Sequence, residues 1–134
     1  MSKVERFEYL DIWKGAKKLC KKIFDITNKE PFSKDYRFKD QIRSSSGSIM
    51  DNIAEGFERG GNKEFIQFLY IAKGSCGEAR SQVHRARDFG YINDEKYRDL
   101  IEESVQLSKK ISGFISYLKN SQLKGEKYST SPKH

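Results

Sequence analysis

Seven residues, Phe65, Leu69, Ala72, Cys76, Ala79, Val83 and Ala86, follow one another at spacings that alternate between four and three. This is the 3.5-residue repeat of a helix whose apolar seam lies against a neighbour at a shallow left-handed crossing. Positions 72, 76, 79 and 86 are alanine or cysteine, so the seam predicts a neighbouring helix that comes close to this one. A chain carrying such a seam has few folds open to it beyond a bundle of helices.

Three further apolar faces supply the partners. From about Tyr9 to Thr27, Ile12, Trp13, Ala16, Leu19, Cys20, Ile23 and Phe24 share one arc of a helical wheel, and Lys14, Lys17, Lys18, Lys21 and Lys22 share the opposite arc. A second helix is expected from near Ser33–Arg37 to Gly56, with Phe38, Ile42, Ser45, Ile49, Ile53 and Phe57 inward. Its run Ser44-Ser45-Ser46-Gly47-Ser48 has poor helix propensity and needs tertiary packing to stay helical. Asn62 is expected to cap the third helix and Gly90 to stop it. Asn93 then caps a fourth helix whose apolar face is Tyr97, Leu100, Ile101, Leu107, Ile111, Phe114, Ile115 and Leu118. Only two prolines occur, and no stretch alternates with the period of a half-buried strand. Short joints between long helices make neighbours antiparallel. The expected fold is therefore all-α: an antiparallel up-and-down four-helix bundle over residues 1–119, followed by a disordered basic tail, 120–134.

The net charge of +7, from 26 basic and 19 acidic residues, draws a small protein to polyanions without any sequence reading. The excess falls in residues 1–30, 62–92 and 120–134. Beside the lysine arc of the first helix, Lys73, Arg80 and Arg87 recur every seven residues along the third, in line with His84. These two rows are the candidate nucleic-acid-binding residues. The competing reading is that the lysines only keep a helical surface soluble.

Little points to catalysis or metal binding. The bundle lacks the Glu-x-x-His pairs of a di-metal core, and His84, between Arg80 and Arg87, reads as a surface histidine. Gly56-x-x-x-Gly60-Gly61 follows a helix and lacks the Gly-Lys-Ser/Thr ending of a phosphate loop. Cys20 and Cys76 read as core thiols of a reducing compartment. Asn52, Glu55, Arg59 and Glu78 lie on or beside apolar faces. They are expected, with Gly56, to pin the bundle or its assembly contacts through a hydrogen-bonded network, in preference to an acid site built on Glu55 and Glu78.

The string Gln41-Ile42-Arg43, Ser48-Ile49 and Asn52-Ile53-Ala54-Glu55-Gly56 with Arg59, followed by Glu64-Phe65, Phe68-Leu69, Ile71-Ala72, Gly74-Ser75 and Glu78, carries a resemblance. It resembles the four-helix-bundle family encoded in intervening sequences of bacterial 23S rRNA genes, sometimes labelled S23 ribosomal protein. Phe7, Leu10, Trp13, Ala16, Leu19, Ile23 and Thr27 fit the family's first helix, so the likeness spans about residues 7–118. Ser44, where relatives often carry a second arginine, and the order Pro31-Phe32 depart from the pattern. The chain is also similar to the accessory protein of diversity-generating retroelements, a homopentameric bundle that binds nucleic acid and a reverse transcriptase. The resemblance implies a ring of five subunits. Trp13, Phe24, Phe57, Phe68, Phe89 and Tyr91, more aromatic surface than one seam requires, also suggest association.

Together these readings describe a non-enzymatic, homo-oligomeric cytoplasmic bundle with no cofactor and no metal, binding RNA or DNA through its basic faces. The alternative is a scaffold for a protein partner. No leader or membrane span is expected, since acids interrupt the first ten residues and no apolar run approaches the ~20 residues that a span needs.

Overall fold

In the computed structural model, residues 4–128 are described, with side chains to Ser121. A 3-10 turn, Phe7–Tyr9, leads into α1, Asp11–Thr27; a second such turn, Phe32–Lys34, precedes α2, Tyr36–Glu58; α3 spans Asn62–Asp88 and α4 Asp94–Tyr128. Among the described residues there is no strand, and no helix is long and apolar enough to cross a membrane. The four helices alternate in direction. α3 packs most extensively on α2 and α4, α1 packs on α2, and α1 closes more narrowly on α4, which leaves α1 and α3 on a diagonal.

All seven residues of the α3 seam are buried, as are Ile12, Ala16, Leu19 and Ile23 of α1, Ile42, Ile49 and Ile53 of α2, and Leu100, Leu107, Ile111 and Ile115 of α4. Each leucine, isoleucine, valine and phenylalanine among them contributes on the order of 1.5–3 kcal/mol by leaving water, and each alanine less. The serine run stays helical because its side chains are small and satisfied. Ser46 Oγ donates to the Arg43 carbonyl, and buried Ser45 Oγ reaches buried Gln82 Oε1 of α3 at 2.5 Å.

Several boundaries differ from expectation. The first helix begins at Asp11, because the 3-10 turn occupies Phe7–Tyr9 and Leu10 enters in extended conformation. Asp35 caps α2, its Oδ1 accepting from Phe38 N at 3.2 Å, and this helix runs two residues past Gly56. Asn62 does not cap α3: Gly61 takes that position without a side-chain bond, and Asn62 is the first helical residue. Gly90 and Asn93 act as expected. Gly90 adopts φ +77° while Tyr91 N donates to the Ala86 carbonyl at 2.9 Å, and Asn93 Oδ1 accepts from Lys96 N at 2.8 Å. α4 continues to Tyr128, past the expected boundary at 119. Positions 129–134 of the expected tail lie outside the described residues.

Aromatic rings close both ends of the bundle. At one end a chain of ring contacts runs from Trp13 through Phe7, Phe57, Phe65 and Phe114 to Tyr117, with centroids 5.3–6.4 Å apart. At the other, Phe32, Phe38, Phe89 and Tyr91 cluster at 4.9–6.1 Å, and Tyr91 donates its hydroxyl proton to Asp35 Oδ2 at 2.8 Å. Trp13, Phe57, Phe89 and Tyr91 thus make ring contacts within the chain, while Phe89 and Phe24 keep 53% and 45% of their surface exposed. Phe24 lies under Arg43 and Phe68 under Arg59, with guanidinium carbons 4.3 and 5.0 Å from the ring centroids.

Among the described helical glycines, Gly56 has the closest neighbours. A Cβ built there would lie 2.6 Å from Phe68 Cβ and 3.0 Å from Phe65 Cδ1, whereas one at Gly74 would meet nothing within 4 Å. Gly56→Ala is therefore expected to lower stability by about 1–3 kcal/mol through overpacking. Gly74→Ala should raise it by up to about 1 kcal/mol through helix propensity. Thermal and urea unfolding of the two variants measure the contrast, and equal effects would remove the close approach as the reason for glycine at 56.

Candidate functional site

The outer face of α1 forms a shallow groove lined by Glu8, Trp13, Lys14, Lys17, Lys18, Lys21 and Lys22. Residues 14, 17, 18 and 21 share this face because they stand three, four and seven apart, and all four are exposed. Lys22 departs from the expected solvent-facing arc. It is only half exposed and bridges to α4, with its Nζ 2.9 Å from Asp99 Oδ2 and 3.0 Å from Glu103 Oε1. The hydrogen bond to Asp99, followed by that to Glu103, raises its pKa. Lys18 reaches Glu103 at 3.7 Å, and Lys21 pairs with Asp25 at 2.7 Å. Among the described residues, Lys14 and Lys17 alone of the five have no carboxylate within ion-pair distance. The Lys17 ammonium lies 5.5 Å from the Trp13 ring centroid.

The second candidate row does not join the first, since α1 and α3 are diagonal partners. Lys73 is exposed and Arg80 half-buried. Arg87 is occupied: its Nε donates to Asp94 Oδ1 at 2.9 Å and its guanidinium lies 4.6 Å from the Tyr97 centroid. Both the hydrogen bond and the charge of Asp94 raise its pKa. His84 is an exposed residue whose Nδ1 lies 3.0 Å from the Tyr97 hydroxyl. The sequence reading missed how the other arginines are used. Arg43 donates to Thr27 Oγ1 and to Asn28 Oδ1, both at 2.8 Å, tying the end of α1 to α2. Arg85 covers the Phe38 ring at 4.4 Å. A cation four positions from a ring on one helix, as Lys17 is from Trp13, is visible in sequence; a ring 47 residues away, as Phe38 is from Arg85, is not.

The expected polar network is divided. Half-buried Asn52 donates to the Ser48 carbonyl and to Ser48 Oγ, both at 2.8 Å, and Ser48 Oγ lies 2.9 Å from Ser75 Oγ of α3. Glu55 is exposed, pairs with Arg59 at 3.1 Å on the helix surface, and takes no part in that network. Glu78 is exposed on α3 and is not in it either. Hence Glu55 is not a buried charge whose removal would orphan a partner, and a surface pair of this kind contributes little, roughly 0.3–0.5 kcal/mol. Gly56 acts through space, as described above. Cys76 is buried, and desolvation pushes its thiol up to about 11, which keeps it protonated and unreactive at neutral pH. Cys20 is only half-buried. No group of three or more His, Cys, Asp or Glu able to hold a metal ion occurs among the described residues.

Residues 8–113 match the family described as 23S rRNA-intervening sequence protein. The fold is similar to the crystal structure of a protein with unknown function from the S23 ribosomal protein family of Bacteroides thetaiotaomicron, with a TM-score of 0.71 at 22% identity over 78% of this chain and 97% of that one. No curated protein matches the chain.

Two classes of lysine on α1 should separate by stability. Lys22→Met removes the cation from a Glu103 carboxylate whose Oε2 is already buried without a hydrogen-bond partner, and should cost about 1–3 kcal/mol. Lys14→Met should change stability by no more than about 0.5 kcal/mol. The raised Lys22 pKa carries the same sign: its contribution is full below the unfolded lysine value and is lost as pH rises through the folded one. Urea unfolding of both variants at neutral and alkaline pH measures this, and equal destabilisation at neutral pH would contradict the division.

Proposed function

The chain belongs to the 23S rRNA-intervening sequence protein family, and from that premise we propose that it is a non-catalytic, self-assembling bundle that holds RNA or DNA against the outer face of α1. The observation that carries this reading is the pair Lys14 and Lys17, exposed and without carboxylate partners among the described residues, flanked by Lys18 and Lys21 on the same stripe. A phosphate backbone releases counterions on meeting such a row, which gives affinity with little sequence selectivity. The α3 row is a weaker candidate, since Arg87 is already held by Asp94 and Tyr97. Glu55, exposed, is held by Arg59 at 3.1 Å and stands outside the Asn52–Ser48 network, which favours a binding role over an acid-base one.

Assembly into a ring of five belongs to the same proposal and rests on the family likeness. Tyr70 and Ile71 of α3, with 47% and 52% of their surface exposed, are apolar surface that a neighbouring subunit could cover. A closed ring needs two different complementary faces on each subunit.

Two measurements test the proposal. Mobility shifts with RNA across a salt series should show binding that weakens steeply with salt. Lys14→Glu/Lys17→Glu should weaken it for every sequence tried and flatten the log–log salt slope by about 1.4–1.8, the value for two lost phosphate contacts. Light scattering should give a mass near five subunits, unchanged in the double variant. If the double variant binds as the parent does, the lysines serve solubility and the scaffold reading takes over; a monomer at micromolar concentration removes the ring.

A further inference from the structure

We propose that the α1 groove accepts an unpaired polynucleotide strand, with the Trp13 indole as the platform on which a base stacks; this rests on the nucleic-acid reading above. Trp13 is half-buried, packed against the core while also lining the groove. Phe7 packs against it at 5.3 Å and 62°, and Phe7 is itself backed by Phe57 at 6.4 Å, so the indole is held in place from within the bundle. A ring fixed in this way loses little freedom when a base meets it.

Charge complementarity selects the occupant. Five lysines line the groove, and Lys14 and Lys17 among them have no carboxylate within ion-pair distance among the described residues; the one lining acid, Glu8, is already paired by Arg6 at 3.0 Å. The stripe from Lys14 to Lys21 is about 10 Å long by helical rise, enough to follow a short stretch of extended backbone. Lys17, whose ammonium lies over the indole, stands on a flexible stem that can move to a phosphate as a base takes its place. A duplex offers the same phosphates, but its bases are already stacked and cannot reach an indole recessed among lysine tips. Rings and cations combined in one groove are the features that hold single strands without reading sequence.

Trp13 is the chain's only tryptophan, so its fluorescence reports this groove and nothing else. The full chain is titrated with a single-stranded oligouridylate, an RNA duplex of equal length, inorganic polyphosphate and polyglutamate. The oligouridylate should quench the emission saturably, and polyphosphate, which has charge but no bases, should not. Trp13→Leu should weaken oligouridylate binding about tenfold and change polyphosphate binding less than twofold; Trp13→Phe, which keeps an aromatic ring, should fall between. The quenching in the parent chain decides the matter even if Trp13→Leu folds poorly. If the oligouridylate binds without quenching, or Trp13→Leu binds it as the parent does while Lys14→Glu/Lys17→Glu does not, the stacking platform is overturned and the phosphate reading stands. Equal affinity for the duplex also overturns it. Polyglutamate bound as tightly as the oligouridylate assigns the face to an acidic protein, and no binding to any nucleic acid overturns both readings.

Discussion

The α2–α3 hairpin closes because position 56 has no side chain. Its backbone lies so near Phe65 and Phe68 that even a methyl group would meet them at 3.0 Å or less. From this contact the rest of the hairpin follows. The three-residue joint at Arg59, Gly60 and Gly61 can be short because the helices are already close, and Gly60 makes the reversal with φ +86°. Farther along, small residues keep the separation small: Ser45 meets Gln82, Ser48 meets Ser75, and Ala72, Cys76 and Ala79 present little bulk. The hydroxyls are tolerated in the interior because each has a partner.

Much of this was legible in the sequence. The alternating four-and-three spacing marked the α3 seam, and all seven of its residues are buried. Gly90 and Asn93 marked a real joint because the chemistry of a helix stop and start is local. The start of α1 was less legible, since Tyr9 continues the apolar pattern but belongs to a 3-10 turn. Asn62 is a good cap by composition, yet the extended conformation falls on Gly61, one residue earlier. At the candidate site, the lysine stripe could be read from periodicity, but not which lysines are occupied. Lys22 meets Asp99 from 77 residues away, a separation no local rule spans. The aromatic residues were legible only in part: their number was plain, while their mutual contacts at the two ends depend on the packed bundle.

Counting charge along a chain therefore overstates what a partner meets. The net +7 is a property of the whole sequence, whereas the field at the groove depends on where each carboxylate folds. Glu103 and Asp99 come from α4 to the edge of the α1 row, and Asp94 comes from the same helix to Arg87. α4 thus tempers both basic rows at once. Mixed pairs at such edges add little stability when exposed, but they determine which cations stay available to an anion.

The order in which the helices pack also bears on how the chain reaches this structure. α2 with α3 and α3 with α4 are hairpins of consecutive helices, and these are the broadest interfaces. Their closure costs little chain entropy, because the joints are short. The α1–α4 seam is different. It is narrower, it joins residues such as Lys22 and Asp99 that are far apart in sequence, and its ion pairs form only when the ends of the chain are brought together. Contacts dominated by sequence neighbours favour rapid folding, and the seam that closes the largest loop carries the largest closure entropy. The helix that bears the open lysine row is thus held on one flank by α2 and on the other by a narrow seam that joins residues far apart in the chain.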